Sequence, residues 1–227
     1  MSTATVPEKV THLDTCRACA PVSQRIVLYD ISWETYEALL RDLECQHLFL
    51  TYDRGALELM SPLPKHDRSG RLLGRLLYVY TEMCGIPIAS FGMTTWRRKD
   101  LAKGLEADEC YYVRNEPAVR GREDITLEKD PPPDLAIEVD ITRSTLAKQE
   151  IYASLGIPEL WRYEDEHLTV RELRDDGKYA LVSASPSFPD LPLGQMERFM
   201  HMRHGMGETD WIRAFRDWVA EHFKISP

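Results

Sequence analysis

Pro131-Pro132-Pro133-Asp134-Leu135-Ala136-Ile137-Glu138-Val139-Asp140 is the stretch on which the reading of this chain turns. Leu135, Ile137 and Val139 alternate with Asp134, Ala136, Glu138 and Asp140. Period-two alternation built on branched aliphatics reads as a strand, with its apolar side chains on one face and its acids on the other. An acidic strand face alone is what any sheet with one solvated side displays. Lys148, eight residues after Asp140, adds an amine. Carboxylates along one strand face with an amine nearby can hold a divalent metal and position an attacking water.

Outward from this strand the chain alternates short strands and amphipathic helices. Upstream, strands are expected at Arg25–Asp30, His47–Tyr52 and Ala56–Met60, the last two joined at Asp53-Arg54-Gly55 as a hairpin. Ser32 caps a helix running to about Glu44. A longer helix, from about His66 to Cys84, carries Leu72, Leu73, Leu76, Leu77 and Tyr80 as a stripe. Strand-like runs follow at Pro87–Phe91, Met93–Arg97 and Glu109–Val113, with a further short one at Ile125–Leu127. After the acidic strand come a helix over about Ser144–Leu155 and strands near Glu159–Tyr163, Leu168–Leu173 and Tyr179–Val182. The fold class is α+β, with a mixed, mostly antiparallel central sheet flanked by helices.

At 227 residues the chain is long enough for one large domain with appendages. Residues 1–24 are polar and aperiodic and read as a flexible arm; residues 25–200 form the domain; residues 201–227 carry a C-terminal amphipathic helix. That helix, Glu208–Phe223, sets Trp211, Ile212, Phe215, Trp218, Val219 and Phe223 at helical spacing, a face that calls for either the core or a dimer partner. No apolar run reaches the ~18 residues of a membrane span, and no leader peptide is expected, so the expected location is cytoplasmic. The five cysteines are odd in number and irregular in spacing, which fits reduced thiols. Cys16-Arg17-Ala18-Cys19 is a CxxC without a second pair and makes a poor zinc site. A net charge of −9 excludes a general basic DNA-binding surface. A nucleic-acid partner must be met by a local patch, and metal bound to carboxylates would offset part of the acidity.

A second acidic group lies upstream in Glu106-Ala107-Asp108-Glu109. Asp134 and Glu138 are four residues apart on one strand, about 13 Å between Cα atoms, too far to share an ion. Adjacent strands lie ~4.8 Å apart, so an acid on a neighbouring strand reaches Glu138 more easily. This favours Asp108 as partner of Glu138 and as metal ligand, with Asp134 as its rival and Glu106 in support. Lys148, on the following helix, can swing its ammonium back over the sheet to orient water or stabilise phosphate charge.

At these residues the chain resembles the Uma-two family of endonucleases, within the PD-(D/E)XK nuclease superfamily. The resemblance runs from about Tyr29 to Leu193 and is carried by several segments in order. They are Glu58-Leu59-Met60-Ser61-Pro62 with His66; Glu106-Ala107-Asp108; Pro133-Asp134-Leu135-Ala136-Ile137-Glu138-Val139; Lys148 with Tyr152; and Gly156-Ile157-Pro158-Glu159-Leu160-Trp161. The resemblance implies a restriction-endonuclease-like fold over residues 25–200. It also implies a Mg²⁺ or Mn²⁺ ion held by Asp108 and Glu138, and Lys148 as the catalytic lysine. The chain departs from the superfamily pattern at Asp140, which stands where lysine is expected two residues after Glu138. In this family the lysine is displaced to the next helix, and Lys148 matches that place. Glu58 and His66 belong to the pattern without an assigned role.

The function implied is metal-dependent hydrolysis of nucleic-acid phosphodiesters, with DNA the first expectation and a homodimer suited to cutting two strands. Arg68, Arg71 and Arg75 recur on one face of the long helix, Lys65 precedes it, and Trp96-Arg97-Arg98-Lys99 forms a second cluster. These can meet phosphates or pair with surface acids. Two other readings stay open: a nuclease-like binding module without catalysis, and a metal-dependent hydrolase of small phosphoesters.

Overall fold

A computed structural model describes residues 24–44, 46, 48–61, 64–140 and 146–224, without the side chains of residues 64–67 and 140. The expected arm therefore lies outside the described residues except for Gln24, and so do Cys16, Cys19 and Cys45 and the side chains of Lys65, His66 and Asp140. In chain order the elements are β1 (Gln24–Leu28), α1 (Trp33–Asp42), β2 (Phe49–Asp53), β3 (Ala56–Ser61), α2 (Pro64–Cys84), β4 (Ala89–Ser90), β5 (Thr95–Arg98), β6 (Lys103–Glu106), β7 (Glu109–Tyr112), α3 (Glu116–Val119), β8 (Leu135–Asp140), α4 (Lys148–Ser154), β9 (Glu159–Glu164), β10 (His167–Leu173), β11 (Tyr179–Val182), α5 (Leu193–Met202) and α6 (Glu208–His222).

The α+β architecture is mixed and mostly antiparallel, as expected, with its strands divided between two sheets. One has the order β1-β3-β2-β6-β5 and the other β11-β10-β9-β8-β7-β4. Among the described strands only β8 and β9 pair in parallel, and α4 is the crossover between them. β6 and β7 are almost one strand. The chain leaves the first sheet after Glu106 and enters the second at Glu109, so Ala107 and Asp108 bridge the two sheets.

Local chemistry explains the elements that were anticipated. Ser32 is the N-cap of α1, its hydroxyl accepting from the Thr35 amide at 3.1 Å. Arg54 and Gly55 both take positive φ, 47° and 96°, as a two-residue hairpin turn between β2 and β3 requires. Three differences stand out. Ile125–Leu127 is a loop, β6 was not anticipated, and neither was α5.

β8 is buried on both faces. Leu135, Ile137 and Val139 belong to a core formed with α2, α5 and α6; Ala136, on the other face, belongs to a core with Ile151, Tyr152 and Leu155 of α4. The acidic face is therefore covered by a helix. α2 comes close to β7 at Gly74, where a Cβ would stand 2.6 Å from the Tyr111 hydroxyl. α6 closes the first core from outside. Trp211 and Phe215 are fully buried, Phe215 meets Phe199 of α5 edge-on at 5.0 Å, and the Trp211 indole N–H donates to the Phe199 carbonyl at 2.6 Å. Arg75 of α2 pairs with Glu208 in the first turn of α6. No helix of the described residues is long and apolar enough to cross a membrane.

Removing a fully buried phenylalanine leaves a cavity as well as losing transfer energy. Phe215→Ala should lower unfolding free energy by about 3–5 kcal/mol in urea titration. Truncation after Gly207, which uncovers the same core, should bring aggregation. A truncated chain with an unchanged unfolding midpoint would show that α6 only decorates the fold.

Candidate active site

Glu138 projects from the middle of β8 toward α4 and is 3% exposed. A carboxylate so far from water needs compensation from charge or donors. α4 supplies it. Lys148 opens the helix and Tyr152 follows four residues later, so the two stand one above the other on one face. Lys148 Nζ donates to Glu138 Oε2 at 2.8 Å, and its side chain is 10% exposed. The Tyr152 hydroxyl donates to Glu138 Oε1 in a short bond. Burial, followed by the charge of Glu138 and that of Asp108, drives the Tyr152 phenol well above its ordinary pKa. Tyr152 is thereby a permanent donor, and it holds Glu138 in one orientation.

Asp108 arrives from the other side of β8. β7 and β8 pair Glu109 with Ile137 and Cys110 with Ala136. One step further along this register Asp108 comes beside Glu138 and Val139. Its Oδ2 accepts from the Val139 amide at 2.7 Å, which continues the ladder with a side chain where the strand backbone has departed. The aspartate is 7% exposed. It borders a cavity of about 140 Å³ with Gly70, Arg71 and Glu109, whereas Glu138, Lys148 and Tyr152 line a larger cleft of about 500 Å³.

The neighbouring strands and the lysine aimed at their acids are thus arranged as the spacing predicts. Asp134 is elsewhere in role. Both its oxygens serve the segment 113–115: Oδ2 accepts the Val113 and Asn115 amides and Oδ1 the Asn115 side-chain amide, each at 2.8 Å. Glu106 takes a hydrogen bond from Thr95 Oγ1 at 3.1 Å, within the first sheet. Glu58 is buried and pairs with Arg25 at 2.8 Å. Tyr152 had no assigned role at the sequence level. Its spacing of four from Lys148 is the signal that could have revealed one.

Among the described residues no group of three or more His, Cys, Asp or Glu could hold a metal ion. The donor set Asp108 plus Glu138 is nonetheless of the right chemistry for Mg²⁺ or Mn²⁺. Such hard cations bind through one or two carboxylates and complete their shell with waters and substrate phosphate oxygens.

The sequence matches the Uma2 family, described as "Putative restriction endonuclease", over residues 33–197, and the chain belongs to that family. Among solved structures it is similar to a protein from Anabaena variabilis ATCC 29413 described as "a putative nuclease belonging to DUF820". The identity is 14%, with 66% of this chain and 90% of that one covered at a TM-score of 0.46. No curated protein matches the chain.

Two expectations follow. Breaking a buried ion pair strands the other charge, so Lys148→Met should cost about 3–5 kcal/mol, and adding Glu138→Gln should restore much of it. Urea unfolding of the double-mutant cycle measures this; additive losses would mean the pair is not coupled. Glu109, half-buried under α2, has its carboxyl pushed above the ordinary 4.5 by burial, against the lowering pull of the Tyr111 hydroxyl and Arg71. Its native state holds the proton more tightly than the unfolded chain does. Its contribution is therefore lost as pH rises from the unfolded pKa through the folded one. Glu109→Gln should be more stable than wild type at neutral pH and no different at about pH 4. An equal difference at both would refute the assignment.

Proposed function

We propose that the chain is a metal-dependent endonuclease that hydrolyses phosphodiester bonds of nucleic acid, with DNA the first substrate to test. One observation carries this reading. Glu138 is fixed by Lys148 and Tyr152 at the floor of a cleft, and Asp108 is hydrogen-bonded to the very next residue of the same strand. Membership of the endonuclease family supports it.

On this reading Asp108 and Glu138 hold Mg²⁺ or Mn²⁺, which when bound polarises the phosphate and makes water a better nucleophile. Tyr152 keeps the Glu138 carboxylate from rotating. Lys148, which as an ammonium has donors and no acceptor, orients the attacking water or stabilises charge on the phosphate oxygens; it is not a general base while paired. A homodimer acting in the cytoplasm would offer two such clefts to a duplex. The second reading, a binding module without catalysis, is favoured by Asp140 standing where the superfamily has lysine.

Cleavage of plasmid and single-stranded DNA in Mg²⁺ or Mn²⁺ separates the readings. Wild type should exceed an Asp108→Asn, Glu138→Gln double variant by roughly a hundredfold or more. Calorimetric Mn²⁺ binding should disappear in the same variant. Equal rates would sink the enzyme, and Mn²⁺ binding without cleavage would leave the module.

A further inference from the structure

The basic residues of α2 do not share one fate. Arg68, Arg71 and Arg75 recur at spacings of three and four, so they follow one face of the helix. Arg75 is held by Glu208 in the first turn of α6. In the second basic cluster Arg97, Arg98 and Lys99 face Glu37, Asp100 and Glu34. Arg68 and Arg71 are exposed and, among the described residues, their side chains make no hydrogen bond or ion pair.

Their place on the helix gives that exposure a meaning. α2 packs on β8 with Gly70 directly over the proposed site: a Cβ there would stand 3.8 Å from Val139 Cγ2 and 3.9 Å from Asp108 Cβ. Arg71 is the next residue, and it borders the cavity of about 140 Å³ that Asp108 and Glu109 also line. Glu109 does not hold it. That carboxylate lies against Gly74, one turn further along α2, and accepts from the Tyr111 hydroxyl at 3.3 Å. A polyanion can therefore meet Arg71 without first breaking a pair, and a guanidinium presents two parallel N–H groups that match two phosphate oxygens. Arg68, about 4.5 Å earlier along the helix axis, continues the positive strip away from the end that Glu208 closes. In a chain of net charge −9, two such cations beside the acids supply the local patch that a nucleic acid requires.

We propose that Arg71 and Arg68 form a phosphate-binding strip on α2 that holds the sugar–phosphate backbone of a nucleic acid on the Asp108 side of the active site. The strip rests on the nuclease reading and deepens it by assigning where the substrate runs. Its ligand class is a polynucleotide phosphate, and contacts made to the backbone carry no base preference.

The test is binding, measured by fluorescence anisotropy with two labelled single-stranded oligonucleotides of unrelated sequence. Ca²⁺ replaces Mg²⁺ so that the carboxylates are filled without turnover. Arg71→Gln should weaken both oligonucleotides equally and by roughly tenfold, the loss of one charge-assisted contact. The slope of log affinity against log salt should fall by about 0.7, and by about twice that when Arg68→Gln is added. Arg71→Lys, which keeps the charge without the fork, should bind with intermediate affinity. Arg75→Gln removes a cation that Glu208 already answers and should change affinity and slope much less. Wild-type affinity and slope in Arg71→Gln would overturn the inference while leaving the nuclease reading intact. Equal losses in Arg71→Gln and Arg75→Gln would show a general effect of charge and overturn it too. The unfolding midpoint of Arg71→Gln should match wild type; binding lost together with a lowered midpoint would make Arg71 a structural cation and sink the strip. A wild-type protein that binds neither oligonucleotide would remove the nuclease reading and the strip together.

Discussion

A carboxylate buried in the middle of a sheet is the constraint around which the second half of this protein is organised. A carboxylate at the depth of Glu138 calls for an answering charge and donors, and they come from the element that follows β8 in the chain. Lys148 and Tyr152 share one face of α4, so meeting Glu138 with both of them fixes where the helix lies and how it is rotated. A helix laid over β8 in this way returns the chain beside β8 in the same direction. The parallel pairing of β8 with β9 in a mostly antiparallel protein follows from that crossover. On the other face, Leu135, Ile137 and Val139 seat α2, and α5 and α6 pack behind it. One strand thus joins two cores, and the buried Glu138 lies on the face that α4 covers.

Asp134, Glu159 and Glu138 are all buried on or next to this sheet, yet their surroundings differ in kind. Asp134 is consumed by amides of the segment 113–115. Glu159 accepts from the Trp161 indole at 2.6 Å, the Ser185 hydroxyl at 2.6 Å and the Ser187 amide at 2.8 Å. Both are closed by neutral donors that brace a loop, which is the work of a structural carboxylate. Glu138 is answered by an ammonium and a phenol, and it opens on a cleft. Such a charge is satisfied for folding and still within reach of a ligand. That distinction is what favours Glu138 over the other two in the proposed reading. It also explains why Pro133-Asp134, despite its likeness to the superfamily's name, belongs to the scaffold.

Much of this was legible in the residues, for identifiable reasons. β8, α2 and α6 carry strong periodicity, and the hairpin at Arg54-Gly55 carries its own turn chemistry. Strand spacing placed Asp108 beside Glu138, which the register of β7 and β8 reproduces. What was hidden depended on tertiary context. β6, Lys103-Gly104-Leu105-Glu106, has too little alternation to announce a strand; it is one because β2 and β5 pair with it on either side. Gly104 fits there because the Tyr36 ring presses against the space a Cβ would fill. Ile125–Leu127 has the right side chains for a strand but no partner strand among the described residues. α5 was masked by the prolines and glycine around its start, and its Met196, Phe199 and Met200 become a face only when α6 and β10 are in place.

The basic residues that looked like a phosphate patch are largely neutralised within the chain. Arg97 faces Glu37 at 3.8 Å, Arg98 takes Asp100 at 2.7 Å, Lys99 takes Glu34 at 3.3 Å, and Arg75 takes Glu208. Together with a net charge of −9 this leaves little long-range field to draw a polyanion in. Pairs on an exposed surface are weak, however, and a phosphate can displace one partner at small cost. Attraction for nucleic acid would therefore be short-ranged and concentrated where cations stand beside acids that a metal can neutralise. The Glu138 cleft meets that condition, with Lys148 and Arg162 on its walls. On the nuclease reading a metal would serve substrate binding as well as chemistry, because the residues lining the cleft include more carboxylates than cations.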